Sequence, residues 1–323
     1  MHIKQLLVRS ITELKNAGIK SAEIDAKLLL MEAASKDDVF LLSHSDYLIT
    51  NAQYSRFRRY IRRRKTGEPI AYILGHKEFY GNDFIVNKNV LIPRPETEWL
   101  VERGLEFIKK RHSEPEFSGE ESSGACGLRP RSFTNAQDDT VKILDMGTGS
   151  GCIIVSLAKE LSTIDYRLST NFYGVEISKQ AIGVAKKNSK LHKVDNYVKF
   201  YISDLFSNRF LNKKFDLIIA NLPYVPQTRI QNSDNRIQPS RSQSFYSHSE
   251  HIRQAQCKLR EESSGTINKD ISFEPQNAIF ADDNGAKIIK KFLEQARGHI
   301  APKGLILLET DCRNAKSIKK YAK

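Results

Sequence analysis

Residues 141–151 read Val-Lys-Ile-Leu-Asp-Met-Gly-Thr-Gly-Ser-Gly, an apolar run that passes directly into three alternating glycines. Glycine lacks a Cβ, so the backbone at these positions can pass close to a ligand. A dinucleotide-binding loop would need its third glycine at position 152, which is Cys152 here. The pattern G-x-G-x-G, with Asp145 two residues ahead of the first glycine, therefore predicts a different ligand-binding turn between a strand and a helix.

Downstream of this turn, apolar runs of strand length alternate with helical patterns. Strands are predicted at Val141–Met146, Phe172–Glu176, Val198–Ile202, Phe215–Ala220 and Leu305–Glu309. Helices fit between them at 151–161, 178–190 and 285–300. Such alternation predicts an α/β fold in which a parallel sheet is covered by helices on both faces.

Acidic residues follow two of the predicted strands. Glu176 ends the second strand, where a carboxylate can accept hydrogen bonds from both hydroxyls of a ribose, and a helix cap beside Ser178 is the alternative. With the glycine turn, these acids resemble the cofactor site of the class I (Rossmann-like) methyltransferases, which use S-adenosyl-L-methionine. The resemblance places Asp204 and Leu205 at the adenine. It implies cofactor contacts from Asp145, Gly147, Thr148, Gly149, Ser150, Gly151, Glu176, Asp204, Leu205 and Asn221.

The fourth strand ends in Asn221-Leu-Pro-Tyr224, which resembles the N-P-P-Y motif of methyltransferases acting on amide or exocyclic amino nitrogens. An amide nitrogen is a poor nucleophile because its lone pair is delocalised into the carbonyl. Two acceptors, the Asn221 side-chain oxygen and the carbonyl of Leu222, would hold its N–H groups and aim the nitrogen at the methyl. The predicted catalytic residues are Asn221, Leu222, Pro223 and Tyr224, the last as an aromatic wall. Leu222 replaces a proline of the motif, and an ordinary strand-ending turn is the alternative.

The N-terminal part of the chain has helical periodicity and predicts a small helical domain over residues 1–66. Ser21 is the predicted cap of its second helix. A third helix over 51–65 carries seven basic residues, which fit either RNA contact or a solvated face. Residues 67–98 predict a hairpin that links this domain to a sheet-containing domain over 99–323.

Three further segments resemble a single family. Residues 62–102, 273–278 (Phe-Glu-Pro-Gln-Asn-Ala) and 302–309 (Pro-Lys-Gly-Leu-Ile-Leu-Leu-Glu) are similar to the HemK/PrmC-type glutamine N5-methyltransferases of peptide chain release factors. The resemblance implies that residues 1–66 contact a release factor. It also implies that the acceptor is the side-chain amide nitrogen (N5) of the glutamine in the Gly-Gly-Gln loop of class 1 release factors.

Two polar segments, 113–140 and 227–270, interrupt this pattern and predict loops. Each contains Glu-Glu-Ser-Ser-Gly, at 120–124 and 261–265, so two copies of one inserted element are a hypothesis. The chain ends at Lys323, soon after the fifth strand. We therefore expect the C-terminal strands of the sheet to be missing and the fifth strand to have an open edge.

Two other functions stay open at this point. A nucleic-acid amino-methyltransferase acting on DNA or tRNA would use the same acceptor motif, and the basic run 56–65 would suit it. A truncated, non-catalytic protein that still binds a release factor is favoured by Leu222 and by the short C terminus. Some members of the family carry a second, tRNA-methylating domain, which this chain would lack.

Composition limits the class of protein. Lys and Arg outnumber Asp and Glu by 51 to 38, and the formal net charge of +13 suits a phosphate-rich partner. The four cysteines lie far apart without a C-x-x-C pair, which predicts neither a zinc site nor a disulfide framework. The N terminus lacks a signal-peptide pattern, and the longest apolar stretch is too short for a bilayer. We expect a cytoplasmic protein that binds no metal and no membrane.

Overall fold

The computed structural model describes residues 2–113, 140–163, 170–226, 242–248, 272–281, 286–311 and 314–321. It begins with the helices α1 (Ile3–Asn16), α2 (Ala22–Ala34), α3 (Asp38–Ser43), α4 (Asn51–Lys65) and α5 (Ile70–Leu74). These helices bury one apolar cluster that includes Leu6, Leu14, Leu29, Phe57 and Ile61. The predicted helical N-terminal region is confirmed, and the third predicted helix matches α4 at both ends.

Ser21 is the N-cap residue of the second helix, as predicted, but its side chain does not cap a backbone N–H. Its hydroxyl donates to Oδ2 of Asp25 at 2.8 Å. The same Asp25 oxygen accepts from Nε of Arg64 at 2.7 Å. A buried carboxylate is stable only when its oxygens are hydrogen-bonded, so Ser21 serves this ion pair instead of the helix end.

The basic run on α4 is divided between structural and exposed side chains. Arg58 pairs with Glu13, Arg63 with Glu68 and Arg64 with Asp25, at 2.9, 2.6 and 2.7 Å. The exposed basic residues of the run are Arg56, Arg59, Arg62 and Lys65. Arg58, Arg63 and Arg64 therefore hold the helical region together. For these three residues, the RNA contact considered for the basic run does not apply.

The hairpin predicted within 67–98 is present as β1 (His76–Phe79) and β2 (Asn82–Ile85), paired antiparallel. Its turn is held by Glu98, whose Oε1 accepts from the backbone N–H of Tyr80 at 3.0 Å. Its second strand is held by Asn188, whose Oδ1 accepts from the backbone N–H of Ile85 at 2.7 Å. The hairpin is therefore fixed to the domain that follows it.

The remaining elements form the sheet-containing part of the chain. They are α6 (Glu98–Ser113), β3 (Val141–Met146), α7 (Cys152–Thr163), β4 (Thr170–Glu176), α8 (Lys179–Leu191), β5 (Val198–Ile202), β6 (Phe215–Ala220), β7 (Val225–Pro226), β8 (Ser242–His248), α9 (Gln276–Ile279), β9 (Phe280–Ala281), α10 (Lys287–Ala296), β10 (Ile300–Asp311) and α11 (Ala315–Tyr321). The main sheet has the order β5-β4-β3-β6-β10-β8. Its first five strands pair in parallel, and β8 is antiparallel to β10.

Helices bury both faces of this sheet, as the alternating pattern predicts. On one face, Leu100 of α6 and Leu157 of α7 share a buried cluster with Ile143. On the other face, Phe292 of α10 shares a cluster with Leu144. Since Ile143 and Leu144 are consecutive in β3, their side chains point to opposite faces of the sheet. The α/β fold with a mostly parallel sheet is confirmed.

The predicted open edge of the last strand is wrong among the residues described. Strand β8 lies within the segment 227–270 and pairs with β10 from Leu305↔His248 to Asp311↔Ser242. An unpaired edge offers a row of N–H and C=O groups with which an extended segment can pair. The loop predicted for 227–270 is therefore also wrong at Ser242–His248. Both Glu-Glu-Ser-Ser-Gly copies, and the predicted loop over 114–139, lie outside the described residues.

Candidate active site

A pocket of about 270 Å³ opens at the carboxyl ends of β3, β4 and β6. In open parallel sheets, ligands bind at this edge because the loops that follow adjacent strands meet there. Many of the sequence-predicted residues line it together: Gly147, Thr148, Gly149, Ser150, Glu176, Asp204, Leu205, Asn221, Leu222 and Pro223. The structure thus brings the predicted cofactor loop and the predicted acceptor motif to one cavity.

The glycine turn owes its shape to backbone conformations that L side chains rarely adopt. Gly147, Gly149 and Gly151 have φ values of +76°, +53° and +81°. The N–H groups of Gly147 and Thr148 both donate to the carbonyl of Val175, at 2.8 and 2.9 Å. This anchors the turn after β3 to the neighbouring strand β4.

The Glu176 carboxylate ties the turn to the end of β4. Its Oε2 accepts from the N–H of Gly149 at 3.1 Å, and its Oε1 accepts from the N–H groups of Ile177 and Ser178 at 2.8 and 3.1 Å. The cap of α8 itself is Ser178, whose hydroxyl accepts from the N–H of Ala181 at 3.2 Å. Glu176 therefore lies at the pocket as predicted, and it also helps to order the start of α8.

Asp145 and Gly151 lie behind the turn instead of lining the pocket. Asp145 is fully buried, and its Oδ2 accepts from the Thr148 hydroxyl at 2.6 Å. Burial raises the pKa of Asp145 to about 7, an effect that the Thr148 hydrogen bond opposes. A Cβ at Gly151 would meet Ala185 Cβ at 3.1 Å, so glycine here lets α7 and α8 approach. Asp145 and Gly151 therefore shape the turn without lining the pocket.

Asp204 and Leu205 lie on the far side of the pocket. Leu205 is buried with φ +49°, and its carbonyl accepts from the Ser203 hydroxyl at 2.7 Å, which fixes this turn. The Asp204 carboxylate forms an ion pair with Lys291 of α10 at 2.8 Å, with both side chains about half exposed. A surface pair of this kind contributes little to stability, so Asp204 can exchange it for another partner.

Leu222 fits the position that its family motif gives to proline. Its side chain is buried in the cluster beneath α10 and also reaches the glycine turn. A Cβ at Gly147 would lie 3.0 Å from Leu222 Cδ2. The Leu222 side chain therefore packs against the turn after β3.

Tyr224, the predicted aromatic wall, is not among the residues that line the described pocket. Its hydroxyl donates to Oε1 of Glu309 at 3.1 Å. The other oxygen of Glu309 accepts from the Thr97 hydroxyl at 2.9 Å, and Oγ1 of Thr97 accepts from Nδ2 of Asn221 at 3.1 Å. Asn221 and Tyr224 are thus joined through Thr97 and Glu309.

Sequence reasoning assigned no role to Thr97 or Glu309. Thr97 lines the pocket, and Glu309 lies two residues before the end of β10 with 2% of its surface exposed. Burial raises the pKa of Glu309 to about 7. Glu176 was predicted because its carboxylate ends a predicted parallel strand. Glu309 has the same feature, so the same criterion would have identified it.

A second missed feature closes the pocket beside the acceptor motif. Arg94, which lines the pocket, pairs with Oε1 of Glu274 at 2.6 Å. Oε2 of Glu274 accepts from the N–H of Ile92 at 3.2 Å. Strand β7, just after Tyr224, pairs with β9 in the same region. Two of the segments that carry the family resemblance, around 94 and around 274, therefore lie together at the site.

Neither a metal site nor a membrane span is found in the part of the chain that the structure describes. No group of three His, Cys, Asp or Glu side chains there could hold a metal ion. No helix among the described elements is both long and apolar enough to cross a bilayer.

Comparison with known proteins agrees with this geometry. A methyltransferase domain model matches residues 137–321, more than half of the chain, and includes the glycine turn and the acceptor motif. The fold therefore places the chain among the proteins that contain a methyltransferase domain. A second model, the PrmC N-terminal domain, matches residues 5–75. A release factor glutamine methyltransferase of Koribacter versatilis is 31% identical over 96% of this chain and 86% of its own length. The chain belongs to the release factor glutamine methyltransferase family.

Two other proteins resemble this chain over different shares of their length. A bifunctional methyltransferase of Rickettsia conorii is 31% identical over 98% of this chain but only 52% of its own length, so the chain spans about half of such relatives. The solved catalytic domain of hMettl16, bound to a MAT2A 3'UTR hairpin, has a TM-score of 0.39 at 14% identity and covers 72% of this chain and 62% of its own. That score is too low to support an inference about function.

Proposed function

We propose that this protein transfers a methyl group from S-adenosyl-L-methionine to the side-chain amide nitrogen of the glutamine in the Gly-Gly-Gln loop of class 1 release factors. The observation that carries the proposal is the position of Asn221. Its side chain lines the same pocket as the glycine turn, and its Nδ2 donates to Thr97. This orientation directs the Asn221 oxygen away from Thr97, where it can accept from an incoming amide.

The residues at the glycine turn suit the cofactor. The Glu176 carboxylate can accept from ribose hydroxyls, while Leu205 and the backbone beside Asp204 can pack on and bind an adenine. Gly147 and Gly149 keep the turn free of side chains where the backbone meets the pocket. When bound, the cofactor supplies a methyl group that a sulfonium makes electrophilic.

The acceptor motif supplies orientation. The Asn221 oxygen and the Leu222 carbonyl accept the two N–H groups of the glutamine amide and hold the nitrogen toward the methyl group. The same oxygens stabilise the positive charge that develops on this nitrogen. The nitrogen loses one proton after transfer, so no base has to act before the attack.

We assign residues 1–66 to release-factor binding, 67–98 to the linker and 99–323 to methyl transfer. The match of residues 5–75 to the N-terminal domain of this family supports the first assignment. The acceptor implies a role in translation termination in the cytoplasm, where release factors act on ribosomes.

The test is mass spectrometry of a class 1 release factor after incubation with the purified protein and isotope-labelled cofactor. We expect one labelled methyl group on the glutamine of the Gly-Gly-Gln loop. The control is Asn221→Ala, which should transfer no label. Cofactor binding by the unsubstituted protein with no label on the release factor would contradict the proposal. Release-factor binding without cofactor binding would identify a non-catalytic binding protein instead.

A nucleic-acid acceptor is the second candidate, and one observation favours it. Arg56, Arg59 and Arg62 are exposed at a spacing of three residues along α4, so they project from neighbouring positions on the helix. Label found in tRNA or DNA but not in protein would promote this candidate. Replacing these three arginines with glutamate should then abolish labelling of the nucleic acid.

A further inference from the structure

We propose that Glu309 is a positioning residue, which sets the direction of a hydrogen-bond chain and thereby turns the Asn221 side-chain oxygen toward the acceptor pocket. The structural part of this inference concerns the orientation of one amide group. Its kinetic consequence rests on the proposed function.

The register of the sheet brings Glu309 beside Asn221. Strands β10 and β6 are parallel, and Leu308 pairs with Ala220. Glu309 and Asn221 each follow their member of this pair, so both lie at the carboxyl edge, where the pocket opens. Thr97 bridges them from the 3-10 turn Pro95–Thr97 that precedes α6.

The chemistry of the three groups fixes the direction of the chain. An ionised carboxylate only accepts hydrogen bonds, so the single proton of the Thr97 hydroxyl must point to Glu309. Thr97 can then only accept from Asn221, which must present its Nδ2 and not its oxygen. The two ends of an asparagine amide have nearly the same size, so hydrogen bonding and not shape selects the orientation. The oxygen is left on the opposite side of the amide.

The groups around Glu309 act on its ionisation in opposite directions. The Tyr224 hydroxyl donates to its other oxygen, and burial together with Glu309 raises the pKa of Tyr224 well above its usual value, so Tyr224 remains a donor. Burial raises the pKa of Glu309 most strongly, and Glu96 adds to this effect, whereas the hydrogen bonds from Thr97 and Tyr224 and the charge of Arg94 lower it. A second acid of β10, Asp311, lies two residues after Glu309.

A neutral Glu309 would reverse the chain. With its pKa raised to about 7 by burial, Glu309 gains a proton as the pH falls through this value. A protonated carboxyl can donate to Thr97, whose own proton is then free to bind the Asn221 oxygen. Asn221 would flip and present its NH₂ to the acceptor amide, which it cannot hold. Methyl transfer should therefore decline below about pH 7, while cofactor binding persists.

The structural test is the side-chain NH₂ signal of Asn221 in a ¹H–¹⁵N spectrum, assigned by its loss in Asn221→Ala. Glu309→Gln and Thr97→Val should shift this signal, and Thr97→Ser, which keeps the hydroxyl, should leave it unchanged. Glu102→Gln is the matched control, because Glu102 is an exposed acid on helix α6, which follows this turn. An unchanged Asn221 signal in Glu309→Gln would overturn the inference. Should that variant not fold, the pair Thr97→Val and Thr97→Ser decides in the same way.

The kinetic test uses the same variants with release factor. We expect Glu309→Gln and Thr97→Val to lower kcat by about 10-fold to 100-fold, as misplacement of a reacting group does. The dissociation constant of the cofactor should change by less than about twofold, and Thr97→Ser should restore kcat. If the decline of methyl transfer below about pH 7 persists in Glu309→Gln, the proposed role is contradicted. If the unsubstituted protein transfers no methyl group, the proposed function fails, whereas the Asn221 signal still decides this inference.

Discussion

The backbone N–H of Gly149 donates a hydrogen bond to Oε2 of Glu176 at 3.1 Å, and so joins the turn after β3 to the end of β4. The other oxygen of Glu176 accepts two N–H groups at the start of α8. One carboxylate therefore organises both the glycine turn and the neighbouring helix start, and it does so at the pocket where we place the ribose.

The first prediction concerns this carboxylate. Glu176→Gln keeps one oxygen for Ile177 and Ser178, but its amide NH₂ cannot accept from Gly149. A hydrogen bond to a charged group contributes about 1.5–3 kcal/mol, so loss of the Glu176 charge should lower the cofactor affinity by about 10-fold to 100-fold. Calorimetry with S-adenosyl-L-methionine measures this affinity. Equal affinity of the variant and the unsubstituted protein would remove Glu176 from the cofactor site.

The second prediction compares two glycines of the turn. Both Gly147→Ala and Gly149→Ala place a side chain at positive φ, which costs about 1–2 kcal/mol. The Cβ at position 147 would also lie 3.0 Å from Leu222 Cδ2, whereas the nearest atom at position 149 is the Gly147 oxygen at 4.0 Å. Gly147→Ala should therefore have the lower Tm. In a Leu222→Ala background the difference between the two variants should shrink, and a constant difference would exclude this contact as its cause.

The third prediction separates the structural arginines of α4 from the exposed ones. Arg64 and Asp25 form an ion pair whose side chains are 6% and 8% exposed. Removing one partner of a buried pair strands the other charge, so Arg64→Ala should lower the free energy of unfolding by about 3–5 kcal/mol. Arg62→Ala on the exposed side of the same helix should change it by less than about 0.5 kcal/mol. Urea denaturation checks both, and similar midpoints would show that the pair is not structural.

The fourth prediction is a pH dependence from Asp145. Burial raises its pKa from 3.8 to about 7, so the folded protein retains a proton that the unfolded chain releases between these values. The free energy of unfolding should therefore fall as the pH rises from about 4 to about 7, by at most about 1.4 kcal/mol per pH unit from this group. Asp145→Asn should reduce this slope, and Glu309 should retain a contribution of the same sign. Parallel stability curves for variant and unsubstituted protein would contradict the buried carboxyl as its source.

Local sequence patterns carried enough information to predict most of the elements. Strands β3, β5 and β6 have the predicted ends, and helix α4 does as well. Apolar periodicity depends only on neighbours in the chain, so it can be read without knowing the fold. The glycine turn was predictable for the same reason, since its conformation is set by a few consecutive residues.

Other features depend on contacts between distant residues. Strand β8 lies in a polar segment that predicted a loop, and it pairs with β10, a strand distant in the sequence. Arg64 is buried because Asp25 lies opposite it on another helix. Neither pairing leaves a periodic pattern in the sequence.

The sequence by itself determined the alternating α/β elements, the glycine turn and the residues at the ends of its strands. The tertiary structure alone decided that Asp145 lies behind the turn and that Tyr224 contacts Glu309. It also joined Thr97 to Glu309 across 212 positions of the chain. The physical reason is that strand register and packing bring such residues together, and these are properties of the folded chain and not of any local stretch.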